Sequence, residues 1–74
     1  MKLIMKQDQE NKVFYRFVDF DHDAKPVYFG CIDKEEDDKY YYYPDENRMS
    51  LEQLKFVIKH CRLLGVCHVN KFRG

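Results

Sequence analysis

The residues best suited to chemistry form two histidine–cysteine pairs, His60-Cys61 and Cys67-His68. Imidazole and thiolate groups are good zinc ligands, so a metal site is the first possibility to test. The spacing is unfavourable, because neighbouring residues on a helix point about 100° apart. Five residues also separate the two cysteines, whereas zinc knuckles place roughly two to four between ligands. We therefore predict no metal site here and expect Cys61 to pack as a small apolar residue.

A second candidate is the alternation of carboxylates at Asp19, Asp21 and Asp23, which is typical of the start of a calcium loop. That loop needs glycine at its sixth position and glutamate at its twelfth, but Ala24 and Gly30 stand there. A solvated strand end and turn explains the acidic residues better. No catalytic triad and no glycine-rich phosphate loop has supporting context, so we predict a protein that is not an enzyme and has no cofactor.

A third candidate is the acidic segment Asp33–Asp38, which is followed by four tyrosines at Tyr40–Tyr43. The tyrosines predict a strand with two rings on each face, paired as a hairpin with Val27–Ile32. Pairing Ile32 with Lys39 places three tyrosines on the outer face, and a slip of one residue would exchange the faces. In this register Cys31 faces Tyr40 and Phe29 faces Tyr42, and these four residues join Val27 in the core. On the outer face Gly30 faces Tyr41 and Tyr28 faces Tyr43.

The element that organises the chain is a predicted helix between Ser50 and Gly65. Ser50 and Gln53 fit a capping box, and Gly65 fits the left-handed residue that ends a helix. Phe56 and Leu63 are predicted to point away from the core, among Lys55, Lys59 and Arg62. Either the C-terminal segment Val66–Phe72 folds back and covers them, or they form a binding ridge framed by basic residues. The predicted core stripe is Leu51, Leu54, Val57, Ile58, Cys61 and Leu64.

Before the helix, alternating residues predict strands at Lys2–Gln7 and Lys12–Phe20. Both faces of the second strand are largely apolar, so it is either covered on both sides or shows an apolar face to a partner. After the helix, Val66–Phe72 fits an edge strand or an extended tail. The sequence therefore predicts a single α+β domain over residues 1–74: a small antiparallel sheet of four strands, or five with a C-terminal strand, with one amphipathic helix packed on one face, in the order ββββα(β).

Charge is distributed unevenly along the 74 residues, although 13 basic and 13 acidic side chains cancel overall. Residues 1–47 carry seven basic and twelve acidic side chains, and residues 48–74 carry six basic and one acidic side chain. This division either matches an acidic sheet to a basic helix within the molecule or steers a partner. The odd cysteine count, and the absence of an apolar run suited to a signal peptide or a membrane span, predict a cytoplasmic protein with free thiols.

These observations predict a small non-catalytic interaction protein that docks on a larger intracellular protein and can inhibit it. Charge-polarised single domains of this size are common among accessory proteins of phages and mobile elements, which favours an inhibitor or host-interaction role. The predicted contacts are the outer tyrosines with the acidic loop, and a basic ridge on the helix. They comprise Tyr28, Tyr41, Tyr43, Glu35, Glu36, Asp37, Phe56, Lys59 and Leu63.

Two alternatives remain from the sequence. The basic C-terminal third could follow a phosphate backbone, although the zero net charge and the acidic loop weigh against it. The residues that would carry this activity are Lys55, Lys59, Arg62, Lys71 and Arg73. The second alternative is a homodimer with a structural role, in which the outer tyrosines of two copies meet.

Overall fold

In the described part of the chain, five strands form one sheet in the order β1-β2-β3-β4-β5, and one helix packs on one of its faces. The computed structural model describes residues 1–66 and 68–69. Its elements are β1 (Lys2–Gln7), β2 (Val13–Phe20), β3 (Pro26–Lys34), β4 (Tyr40–Tyr43), α1 (Leu51–Leu63) and β5 (His68–Val69). β1 to β4 are antiparallel neighbours, so the predicted α+β fold with the order ββββα is confirmed.

The last strand differs from the expected antiparallel layer, because β5 pairs with β4 in parallel. Tyr41 lies opposite His68 and Tyr42 opposite Val69. α1 carries the chain back along the sheet, so the next strand runs in the same direction as β4. Of the predicted segment Val66–Phe72, residues 67 and 70–72 lie outside the described part of the chain.

All three hairpin turns are built in the same way. In each turn, the N–H of the first residue donates to the carbonyl of a lysine that ends the turn. The carbonyl of the first residue accepts the N–H of a residue with positive φ, and the N–O distances are 2.9–3.1 Å. The residue with positive φ adopts the left-handed conformation that a three-residue hairpin loop requires. In chain order these residues are Asp8, Asn11 and Lys12; Asp21, Ala24 and Lys25; and Glu35, Asp38 and Lys39. Asp21 thus has a structural role in a turn, where its Oδ1 also accepts the N–H groups of Asp23 and Lys25.

Ala24 is the least suitable of the three left-handed residues, with φ of 60°. Asparagine and aspartate tolerate this conformation better than alanine, which has no side-chain polar group to compensate. We expect Ala24→Gly to raise the free energy of unfolding by roughly 0.5–1 kcal/mol. Urea unfolding followed by circular dichroism would measure the change. The matched control is Asn11→Gly, where φ is 64° and little gain is expected; equal gains at both sites would contradict the explanation.

A β-bulge at Gly30 changes which residues of β3 face the core. Arg16 pairs with Cys31 but Val18 pairs with Tyr28, so Phe29 and Gly30 together lie opposite a single residue of β2. Gly30 has φ of 106°, a conformation that side chains rarely adopt. The extra residue exchanges the two faces of β3 beyond the bulge, so that side chains expected on one face of the sheet lie on the other.

The turn between β3 and β4 explains why the predicted register of these two strands is wrong, because β3 continues to Lys34 and the Glu35 N–H bonds to the Lys39 carbonyl, so that the loop holds three residues and not the six of Asp33–Asp38. Tyr42 pairs with Ile32 and Tyr43 with Cys31, a displacement of three residues from the predicted pairs. Ile32 is consequently in the core, and Cys31 lies on the outer face. The ring that covers Gly30 is that of Tyr42 and not that of Tyr41. Tyr40 and Tyr42 do face the core, as predicted.

The core lies between α1 and the sheet and is centred on Phe17. Phe17 and Ile32 are fully buried, and Phe29, Tyr42 and Val57 join them. The ring of Phe17 makes edge contacts with the rings of Tyr42 (5.8 Å between centroids) and Phe56 (6.1 Å). Such edge-to-face pairs add to the stabilisation that comes from burial alone.

The helix has the predicted ends. Ser50 Oγ accepts the N–H of Gln53 at 3.2 Å, and Gln53 Oε1 accepts the N–H of Ser50 at 2.9 Å. At the other end Gly65 has φ of 69°, and the N–H of Val66 donates to the carbonyl of Cys61 at 2.9 Å. Both caps satisfy backbone groups that the helix leaves free.

The predicted orientation of that helix is wrong by roughly a quarter of a turn. Gln53 faces the sheet, where its Nε2 donates to Asp19 Oδ2 at 3.0 Å. Phe56 therefore packs against the core and does not form a ridge. Leu51, Leu54 and Ile58, which were predicted to be core residues, are 66%, 40% and 42% exposed. In the observed orientation Phe56 and Val57 pack against the core and Gln53 bonds to Asp19. The aliphatic periodicity used for the prediction takes account of neither the Phe56 ring nor the bond of Gln53.

Candidate interaction surfaces

The sheet face opposite α1, here called the open face, has no helix over it among the described residues. The strand registers place large side chains from four strands on it: Ile4, Phe14, Arg16, Val18, Phe20, Tyr28, Cys31, Tyr41 and Tyr43, with Lys2 and Lys6 at the β1 edge. A solvated face of an antiparallel sheet normally alternates with polar residues. The open face is thus unusually aromatic for a surface in contact with water.

The centre of the open face is well packed even though no element covers it. The guanidinium of Arg16 lies over the ring of Tyr28, with 4.7 Å from Cζ to the ring centroid. Val18, opposite Tyr28 in the register, is only 2% exposed. Phe20 lies near one end of the face and is 51% exposed. The result is an ordered aromatic platform with one cation held flat against it.

The prediction that Tyr28, Tyr41 and Tyr43 share one face is confirmed by the registers. Tyr43 is buried, whereas the other two are half-buried. The hydroxyl of Tyr41 donates to Asp37 Oδ2, and this bond lowers the pKa of the Asp37 carboxyl. The predicted acidic residues Glu35, Glu36 and Asp37 lie in the turn between β3 and β4. The structure therefore brings the acidic turn to one end of the open face.

Sequence reasoning assigned no binding role to Phe14, Arg16 or Phe20, although all three lie on the platform, Phe14 and Arg16 half-buried and Phe20 exposed. The signal was the apolar character of both faces of β2. One of those faces meets α1 and the other lies on the open face. The apolar pattern of β2 indicated that one of its faces would be left uncovered. Which residues lie on that face became clear only once the position of the helix was known.

A second surface is an apolar groove of about 310 Å³ between α1 and β4, here called the helix groove. Its described lining residues are Tyr42, Met49, Leu54, Val57, Ile58, Cys61, Val66 and the exposed Arg62. Burial raises the pKa of the Cys61 thiol, and it raises that of Tyr42 to about 12. The Tyr42 hydroxyl donates to the carbonyl of Phe29 at 2.6 Å. Among the described residues the lining is therefore apolar apart from Arg62, because the Tyr42 hydroxyl is already bonded.

The predicted basic ridge is only partly present. Lys59 and Leu63 are exposed, Leu63 by 71%, but Phe56 is packed beneath them against the core. Lys55 lies 3.8 Å from Glu52 in an exposed ion pair on the same helix. Lys71 and Arg73, which the nucleic-acid alternative also requires, lie outside the described residues.

The two histidine–cysteine pairs were predicted not to bind metal, and two of the four residues can be located. The ring of His60 stacks on Phe56 at 4.1 Å between centroids, whereas Cys61 lines the helix groove. The side chains of Cys67 and His68 lie outside the described part. Over residues 1–66, no three His, Cys, Asp or Glu side chains are close enough together to hold a metal ion.

Comparison with known proteins adds no further constraint. No protein family, curated protein or solved structure matches this chain. In the part of the chain that the structure describes, no helix is both long and apolar enough to span a membrane. The functional argument therefore depends on the two surfaces themselves.

Proposed function

We propose that this protein is a non-catalytic interaction protein that docks on a larger intracellular protein through its open face. The observation that supports this is the aromatic platform formed by Phe14, Phe20 and Tyr28 on a sheet face that no described helix covers. Leaving such side chains in water is unfavourable by about 25 cal/mol per Å² of apolar area. A partner that covers them recovers that free energy.

The composition of the platform suits a protein partner. Tyrosine and arginine dominate the binding energy of many interfaces, and Arg16 is already held against Tyr28. Side chains that are ordered before binding lose little conformational entropy on docking. Charge adds orientation, because Lys2 and Lys6 lie at the β1 edge and the acidic turn lies at the end of β3 and β4. The partner is expected to carry complementary charges in that order.

Docking would inhibit the partner if the surface that it covers is one that the partner uses for catalysis or for binding its own ligands. A standard interface covers about 800 Å² on each protein. A bound domain of this size would therefore exclude other ligands from that area. Inhibition of the partner is part of the proposal.

Capture of the partner, combined with substitutions on the open face, tests the proposal. The tagged protein and a Phe20→Ser, Tyr28→Ser double variant would be used to capture proteins from cell extract, followed by mass spectrometry. We expect the variant to lose about 30-fold or more in affinity for the dominant partner, as for two interface hot-spot residues. Met5→Ser is the control, because Met5 is 65% exposed and lies on the other face of the sheet. Retention of the partner by a folded double variant would overturn the proposal.

The same preparation separates the two alternatives. Nucleic-acid binding predicts an affinity that falls steeply with salt and weakens in Lys59→Ala and Arg62→Ala. Flat salt dependence would exclude it. A homodimeric structural role predicts a dimer by light scattering at micromolar concentration, and the Phe20→Ser, Tyr28→Ser variant would then be a monomer.

A further inference from the structure

We propose that the helix groove is a second docking site and that its occupant is an acidic amphipathic helix of a partner protein. The groove and the open face are on opposite sides of the sheet, because Tyr42 lines the groove and its neighbours Tyr41 and Tyr43 belong to the open face. The proposal therefore holds whether or not the open face binds a protein.

Several apolar side chains beside the groove are not buried in the core. Leu51, Leu54 and Ile58 follow one another at helical spacing along α1 and are 66%, 40% and 42% exposed. The core is completed by Phe56 and Val57 on the adjacent side of the helix. Three neighbouring aliphatic side chains left in water beside an apolar groove mark a surface that another molecule can cover.

The shape of the groove favours a helical occupant. Its lining extends from Met49, just before α1, to Val66, just after it. α1 has 13 residues, so the helix that forms one wall of the groove is roughly 20 Å long. Its volume of about 310 Å³ is at the lower end for binding clefts. A long, shallow apolar groove of this kind takes the large side chains of one helix face at positions i, i+3 or i+4, and i+7.

The basic residues beside the groove favour an occupant with negative charge. Arg62 stands at the rim, and Lys55 and Lys59 follow on the outward side of α1. Glu52 is the single acidic residue of α1. No described carboxylate forms an ion pair with Lys59 or Arg62. An occupant with glutamate or aspartate beside its apolar stripe would meet these cations, whereas a second copy of α1 would bring its own basic residues against them.

Two synthetic peptides test the proposal. Both are amphipathic helices about four turns long with leucine at i, i+3, i+7 and i+10. One carries glutamate at the flanking positions and the other carries lysine. Nuclear magnetic resonance titration would follow the amide signals of α1 and β4. We expect the acidic peptide to bind at least tenfold more tightly than the basic peptide, and equal affinities would overturn the proposal.

Substitutions locate the peptide and check its charge requirement. Ile58→Asp is expected to reduce affinity for the acidic peptide at least tenfold, while Leu63→Asp, on the other side of α1, leaves it unchanged. Because Arg62 is exposed, a Lys55→Glu, Arg62→Glu variant should fold and should prefer the basic peptide. Phe20→Ser on the open face should leave peptide binding unaltered, which separates this proposal from the proposed function. Binding that is insensitive to Ile58→Asp in a folded variant would overturn the assignment.

Two further probes exclude other occupants. A single-stranded oligonucleotide should not displace the acidic peptide, since an apolar groove does not complement a phosphate backbone. Displacement would overturn the proposal in favour of nucleic acid. Light scattering should show that the protein does not form a dimer through the helix groove. A dimer that the Ile58→Asp substitution dissociates would overturn the proposal, because the occupant would then be a second copy of this chain.

Discussion

Replacement of Gly30 by alanine is expected to lower the free energy of unfolding by about 3 kcal/mol or more. A Cβ at this position would lie 2.6 Å from the carbonyl oxygen of Tyr43 and 2.8 Å from two atoms of the Tyr42 ring. Backbone cannot move away as a flexible side chain can, and Tyr42 is held by its bond to Phe29. The φ of 106° adds a conformational penalty. Urea unfolding would measure the loss.

Gly65→Ala provides the matched control for this prediction. Gly65 also has positive φ, at 69°, but a Cβ there would meet nothing within 4 Å. Only the left-handed conformation is penalised, which costs about 1 kcal/mol. If the two substitutions destabilise the protein equally, the close approach of β4 to the bulge is not what makes Gly30 necessary.

Phe17→Ala is the second substitution with a large expected effect, a loss of about 4 kcal/mol in the free energy of unfolding. Phe17 is fully buried and its ring contacts those of Tyr42, Phe56 and His60. Removing it leaves a cavity between sheet and helix that three rings cannot fill without leaving their own positions. Because stability of a small domain is limited, the variant is expected to be partly unfolded at room temperature.

Phe20→Ala is the control on the same strand. Phe20 is 51% exposed on the open face, so a loss of less than about 1 kcal/mol is expected. Thermal unfolding would compare the two variants under identical conditions. A similar loss for both would show that the open face contributes as much to stability as the core, and would weaken the argument that its rings are available to a partner.

The fold was predictable where local chemistry determines it. Ser50, Gln53 and Gly65 mark the ends of α1 because capping groups act on the backbone beside them. Four of the strands were predictable from alternation and aromatic content. The three turns were recognised as connections, but the common position of Asn11, Ala24 and Asp38 was not. An alanine in the left-handed conformation carries no sequence signal.

The errors came from contacts between distant residues. Gly30 at the bulge lies against Tyr42 and Tyr43 of the next strand, and a regular alternation gives no reason to insert an extra residue. In the observed orientation of α1, Gln53 bonds to Asp19, which lies 34 residues before it, and Phe56 packs against Phe17. Neither contact could be inferred from the helix sequence, so the predicted exposure of Phe56 was wrong. The exposure of Leu54 and Ile58, which defines the helix groove, could not be inferred from the helix alone.

The candidate surfaces were only partly predictable. The shared face of Tyr28, Tyr41 and Tyr43 followed from strand alternation despite the wrong register. That success was partly accidental. The β3–β4 pairing is displaced by three residues, which alone would move Tyr28 to the other face from Tyr41 and Tyr43, and the extra residue in the bulge moves it back. Arg16 and Phe20 required knowledge of which side of β2 the helix covers.

The lysines of β1 have a consequence for self-association. β1 is an edge strand, and in proteins that expose apolar sheets such edges promote aggregation by strand addition. If two copies paired antiparallel about Ile4, Lys2 of each would lie directly opposite Lys6 of the other. Like charges in opposed positions destabilise a strand pair. The molecule can therefore present an aromatic sheet to a different protein while its edge discourages growth into fibres of its own kind.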